Sequence, residues 1–339
     1  MLRSIARLTP LALCLLVFGC NFGEKKAPAA PDLVAPSTQE AQRFGSDFVE
    51  SLSSIDGKRA TAMIDWDVLL ARATAGTSGS AQFRAGFIKG AKESTQSASY
   101  TKQLATLTAQ GAKVSVLRVR GDDGGRSVLL RVLMPGGGVG YHELLLTKGS
   151  DSTVRAADVY LYATGEYFSD TMKRMYKFAE ASEPSFMERL KRKKNPVLRM
   201  AQMYKEMGEA VGSGRHAQAV MLFKQMPPEL RKEKSILVAY VTASANVDND
   251  QYQKAIEELR AAYPNEPGMD LMLIDGYILR ERYDDAIAAV NRLDKDLNGD
   301  PYLDILRANI SAAKGDSNGM QRYANRAVER EPALAALIR

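Results

Sequence analysis

The hydrophobic positions fall into two regimes, and the change of period between them divides the chain. In residues 38–56 the apolar side chains Phe44, Phe48, Val49, Leu52 and Ile55 recur at three- and four-residue spacing, which predicts an amphipathic helix. A second helical stretch covers 59–73, with Met63, Ile64, Trp66, Leu69 and Leu70, and a third covers 82–93. The period then drops to two. Residues 114–120, 127–134, 140–147 and 153–162 alternate apolar and polar positions, and the breaks between them are Gly121-Asp122-Asp123-Gly124-Gly125, Pro135-Gly136-Gly137-Gly138 and Lys148-Gly149-Ser150-Asp151. Glycine-rich breaks this short join neighbouring antiparallel strands. Helices followed by such strands predict an α+β domain over 38–168, its helices packed on a four-stranded antiparallel meander.

From residue 169 the strand signals stop. Residues 169–195 read as a helical, basic connector, and 196–339 as an all-α array. The pieces Gly214 to Phe223, Tyr252 to Ala262, Tyr283 to Val290 and Gly315 to Pro332 align as four similar hairpins, with Ala219, Ala255 and Ala286 spaced 31–36 residues apart. In the unit 267–299, Leu273 and Tyr277 stand on a first helix, Tyr283 at the turn, and Ala286, Ile287 and Val290 on a second. This arrangement resembles the tetratricopeptide repeat, whose small residues let paired helices approach. Ile274 and Glu281 depart from it, standing where that family usually has a small residue and a glycine. The resemblance implies a solenoid with a groove lined by first helices. Carried over position by position, it assigns to the groove Tyr204 and Val211, then Leu271, Asp275 and Ile278, then Tyr302, Ile305 and Asn309. That mixture suits a peptide with apolar anchors. The order and length of the elements in 38–168 resemble the NTF2-like or cystatin-like fold, which would bend the sheet around a concave face.

Composition narrows the class. Apolar residues make up 45% and charged residues 25% of 339, the balance of a folded globular protein, not of a disordered chain. Two cysteines are present, Cys14 and Cys20. Arg3 and Arg7, the apolar run from Leu8 to Phe18, Gly19 and then Cys20 resemble a bacterial lipoprotein signal. The apolar run is too short for a spanning helix, which needs about 20 residues. The resemblance implies cleavage of 1–19, acylation of Cys20 (palmitate among the chains) and anchoring to a membrane. Asn21, in place of an aspartate, implies the outer membrane facing the periplasm. Cleavage would lower the net charge from +6 to +4 by removing Arg3 and Arg7, and would leave no thiol for a disulfide or a thiolate metal site. Residues 20–37, with three prolines, read as a flexible tether.

Few residue patterns in the chain point to chemistry. The two histidines, His142 and His216, lie outside any metal-ligand spacing, and His142 shares a strand side with Leu144 and Leu146. Neither a nucleophile elbow nor a phosphate loop occurs, and the glycine clusters sit between strands. The expectation is therefore a chain without catalytic residues, metal or cofactor, and without nucleic acid as a partner. Asp158, Tyr160 and Tyr162 alternate against Val159, Leu161 and Ala163, so they form a polar-aromatic row that with Tyr141 and Glu143 would line a ligand pocket if the sheet is concave. The run Lys191-Arg192-Lys193-Lys194 would contact an anionic surface. Anchor and repeats together resemble envelope lipoproteins that act as scaffolds for outer-membrane protein assembly or as adaptors for peptidoglycan enzymes. The leading expectation is a non-catalytic, membrane-anchored adaptor that binds a protein or peptide partner in the envelope. The alternative is a ligand-sensing or hydrolytic first domain with the repeats as a docking arm. A third arrangement has the first domain packed on the repeats and covering the groove.

Overall fold

The computed structural model describes residues 31–338 apart from 78, 99, 123–124, 136, 182–195 and 265–266. Its first part is an α+β domain. Helices α1 (Thr38–Ser51), α2 (Lys58–Ala62), α3 (Trp66–Thr74), α4 (Ala81–Ala98) and α5 (Tyr100–Ala109) precede the strands β1 (Lys113–Asp122), β2 (Gly125–Leu133), β3 (Val139–Lys148), β4 (Val154–Leu161) and β5 (Glu166–Tyr167). The sheet is an antiparallel meander in the order β1-β2-β3-β4-β5, so a short fifth strand extends the four expected. Helix α6 (Phe168–Ala181) then returns onto α3 and β4 with Met172 and Tyr176 buried, and so closes the first domain where a connector was expected.

Local chemistry explains the boundaries. Ser37 caps α1, its Oγ accepting from the Glu40 N–H at 3.2 Å while Glu40 accepts from the Ser37 N–H at 2.8 Å. The helical stretch expected over 59–73 is broken in two. Asp65 N–H donates to the Ala156 carbonyl at 2.8 Å and Ala156 N–H to the Met63 carbonyl at 2.9 Å, so Met63–Asp65 pairs with β4 and cannot stay helical. The tether expected to run free to residue 37 is also held earlier. Val34 donates to Thr147 Oγ1 at 3.2 Å and accepts from Lys148 N–H at 2.8 Å, so the chain joins the sheet at Val34.

Alternation along the strands sorts two faces. Val128, Leu130, Val132, Leu144, Leu146 and Val159 are buried with Phe44, Phe48, Leu69, Leu70 and Leu104 of the helices. Helix α1 lies directly on this face: a Cβ on Gly45 would come within 2.9 Å of Val128 Cγ1 and 3.1 Å of Val116 Cγ2. His142 belongs to the same side, buried, with Tyr100 Oη 2.8 Å from its Nδ1, and burial holds its imidazole down at about 4.

The second part is an α-solenoid of four hairpins: α7 (Pro196–Gly212) with α8 (His216–Gln225), α10 (Lys234–Ser244) with α11 (Asn249–Ala262), α12 (Pro267–Leu279) with α13 (Tyr283–Leu297), and α14 (Tyr302–Lys314) with α15 (Ser317–Arg330). The short α9 (Pro228–Arg231) links the first two pairs. Ala219, Ala255 and Ala286 are fully buried on the second helices, where their small side chains allow close packing. Glu281 takes a left-handed φ of +56° at the turn between α12 and α13, the place where glycine would be free of strain. Tyr277 is buried on α12, and Phe223 stacks on Tyr240 at 3.7 Å.

Candidate protein-binding surface

The sheet's other face is not open. Leu129, Val139, Tyr141 and Tyr162 share one buried cluster with the solenoid, and Leu117, Leu133 and Tyr160 pack against it. Polar contacts pin this apolar contact. Arg131 of β2, buried, donates to Asp300 at 2.7 Å and to Glu331 at 2.5 and 2.9 Å. Tyr141 Oη donates to the second oxygen of Asp300 at 2.7 Å. Arg118 donates to the carbonyls of Asn298, at 2.5 Å, and Gly299, and Arg120 to that of Asp296. These carbonyls lie at and just beyond the C-terminal end of α13, where unpaired acceptors and the helix dipole favour cations. From the solenoid side, Lys234 Nζ donates to the Gly165 carbonyl at 2.5 Å.

The five residues expected to line a pocket are brought onto this face or its edge, and each is engaged. Tyr141 and Tyr162 are buried, and burial and the neighbouring carboxylates Asp300 and Glu143 push both phenols up. Glu143 accepts from Arg120 at 2.9 Å and Ser127 Oγ at 2.5 Å. Tyr160 packs edge-on between Tyr162 and Tyr167, at 5.1 and 5.3 Å. Asp158 is fully buried toward α3 and α6, accepting from Arg72 Nε at 2.9 Å, Ser169 Oγ at 2.5 Å and Ser169 N–H at 3.1 Å. Burial raises its carboxyl against the pull of Ser169 and Arg72. Tyr141, Tyr160 and Tyr162 therefore belong to the interface with the solenoid, Asp158 to the first domain's own packing, and the two carboxylates are spent on internal bonds.

The expected groove positions divide in the same way. Val211, Leu271, Tyr302 and Ile305 are buried in the shared cluster, and the Gly138 N–H of the β2–β3 turn faces the Tyr302 hydroxyl. Tyr204 lies on α7. Asn309 is exposed, and Asp275 and Ile278 are partly exposed. Leu279, one residue further along α12, is 45% exposed. Cys20 and Lys191, Arg192, Lys193 and Lys194 lie outside the described residues.

Asp275 differs from the other buried or half-buried aspartates of the array. Asp270 holds Arg292 at 2.6 Å, Asp294 holds Arg307 at 2.7 Å, and fully buried Asp304 holds Arg307 at 2.8 Å together with Arg326. Those arginines pull the Asp304 carboxyl down in spite of its burial. No hydrogen bond or ion pair reaches the Asp275 carboxylate among the described residues, and burial alone pushes it up to about 7.

The interface arginines escaped sequence reading. Arg118, Arg120 and Arg131 occupy the polar phase of β1 and β2, which reads as solvent-facing until a second domain covers it. Asp300 sits in the turn between α13 and α14, with no pattern to separate it from a helix cap.

The family model described as tetratricopeptide repeat matches residues 247–310, which run from the start of α11 into α14. No curated protein and no solved structure matches the chain. Fold and match together define an α+β domain joined to a helical-repeat array of the kind that mediates protein–protein interaction.

Proposed function

We propose that this protein is a non-catalytic adaptor of the bacterial envelope, held to the outer membrane by acyl chains on Cys20, that binds a protein or peptide through the open part of its repeats. The observation that carries the reading is the closed face of the sheet. Tyr141, Glu143, Asp158 and Tyr162, the groups a ligand-binding or hydrolytic first domain would use, are committed to internal partners. The α+β domain, whose order of helices and strands resembles NTF2-like folds, then serves as a mount for the array. With the chain joined to the sheet at Val34, an acylated Cys20 would leave a tether of about a dozen residues, which would hold the first domain within a few nanometres of the bilayer.

Two measurements test this. Photocrosslinkers at Asn309 and Leu279, introduced in intact cells, are expected to capture a specific envelope protein, whereas crosslinkers on exposed Lys58 of the first domain are not. Metabolic labelling with an alkynyl palmitate analogue is expected to mark the protein and to fail in Cys20→Ser. Equal capture from both faces would refute the adaptor reading, and label retained in the variant would refute the anchor.

A further inference from the structure

On α12 of the repeat array, Asp275 has no hydrogen-bond or ion-pair partner among the described residues. Asp275 stands on α12 with its side chain mostly removed from water, beside Tyr252 of α11, whose phenol it helps to push up. The close approach of the two helices produces this setting: Gly276, the next residue, packs so tightly on α11 that a Cβ there would meet Ile256 Cδ1 at 2.7 Å. One turn toward the C-terminus, Ile278 is partly buried and Leu279 stays exposed, and i+3 and i+4 side chains share a helix surface with residue i. The result is a short stripe of one half-buried, unpartnered acid bordered by apolar side chains. Arginines that neutralise carboxylates elsewhere are near in sequence and occupied: Arg280 pairs with Glu257, Arg282 with Asp285 at 2.6 Å, and Arg292 with Asp270.

A carboxylate removed from water without a partner costs free energy that a cation placed against it recovers, and a hydrogen bond to a charged group is worth more than a neutral one. We propose that this stripe is a specificity site for a peptide segment of the partner that presents one lysine or arginine between apolar residues, the cation pairing with Asp275 and the apolar neighbours covering Ile278 and Leu279. An acidic segment is disfavoured at the same place, because it would bring a second anion against a half-buried carboxylate. The inference rests on the adaptor reading and names the class of partner it takes.

The test is an array of ten-residue peptides with leucines at fixed positions and lysine, arginine, glutamine or glutamate at the centre, probed with the folded full chain. The expected result is binding of the lysine and arginine peptides at least about tenfold tighter than the glutamine ones, with glutamate weakest. Asp275→Asn is expected to reduce the preference to about twofold or less, and Asp275→Glu, which keeps the charge, to retain most of it. Circular dichroism of both variants confirms the fold. Binding with no preference for a basic centre, or a preference that survives Asp275→Asn, overturns this inference and leaves the adaptor reading standing. Binding of none of the peptides by the wild-type chain overturns the peptide-groove reading, and this inference with it.

Discussion

Replacement of Arg131 by methionine probes the joint between the two domains. The guanidinium is 4% exposed and bridges a carboxylate that is fully buried, Asp300, to a partly exposed one, Glu331. Methionine fills the volume of the stem but strands Asp300, and removal of one partner from a buried pair costs about 3–5 kcal/mol. Asp300 keeps two donors, Tyr141 Oη at 2.7 Å and the Tyr302 N–H at 3.0 Å, so the lower end, about 3 kcal/mol, is expected. Glu331, near solvent, adds about 0.5 kcal/mol or less. The double variant Arg131→Met, Asp300→Asn strands no fully buried charge and should lose only about 1 kcal/mol, about 2 kcal/mol less than Arg131→Met alone. Urea unfolding gives a direct readout, because Trp66, the single tryptophan, lies in α3 of the first domain, while helical circular dichroism is dominated by the array. In the wild-type chain the shared core makes the two signals change together. In Arg131→Met the transitions should separate, and the difference should persist at high salt because the pair is buried. A loss below about 1 kcal/mol with coincident transitions would refute the assignment of this contact as the joint.

Three further outcomes follow from particular side chains. Glu281→Gly should stabilise the α12–α13 turn by about 1 kcal/mol in thermal or urea unfolding, because glycine occupies φ of +56° without the penalty that glutamate bears there. Gly45→Leu should destabilise by about 1–3 kcal/mol or more, since even a Cβ meets Val128 and Val116 on the sheet, and loss of Trp66 fluorescence on unfolding reports it. His142 is held neutral by burial, down to about 4 from 6.5, so the unfolded chain takes up a proton between these values and the native chain does not. Stability from this group is full above about pH 6.5 and falls as the pH drops toward 4, by up to about 3 kcal/mol, and His142→Phe should flatten that part of the stability-against-pH curve.

Much of the architecture was legible from periodicity. The shift from a spacing of three and four to a spacing of two placed the strands within a few residues of their observed ends, and the buried alanines at 219, 255 and 286 marked the repeats. Boundaries set by distant partners were not legible. The break at Met63–Asp65 depends on Ala156, and the attachment of Val34 on Thr147 and Lys148. No local preference encodes a partner about a hundred residues away.

The same division holds for function. Residue order alone specified the alternation that puts Tyr141, Glu143 and Tyr162 on one face, the helical hairpins, and the acid at position 275, because each of these follows from short-range geometry of strand and helix. Whether that face is a pocket or a joint depends on what packs against it. Tertiary structure decided this by bringing Asp300 and Glu331 onto Arg131 and the end of α13 onto Arg118 and Arg120. Burial and pairing belong to the whole packed chain: an aspartate on a polar helix position reads the same in sequence whether an arginine meets it, as at Asp270, or none of the described residues does, as at Asp275.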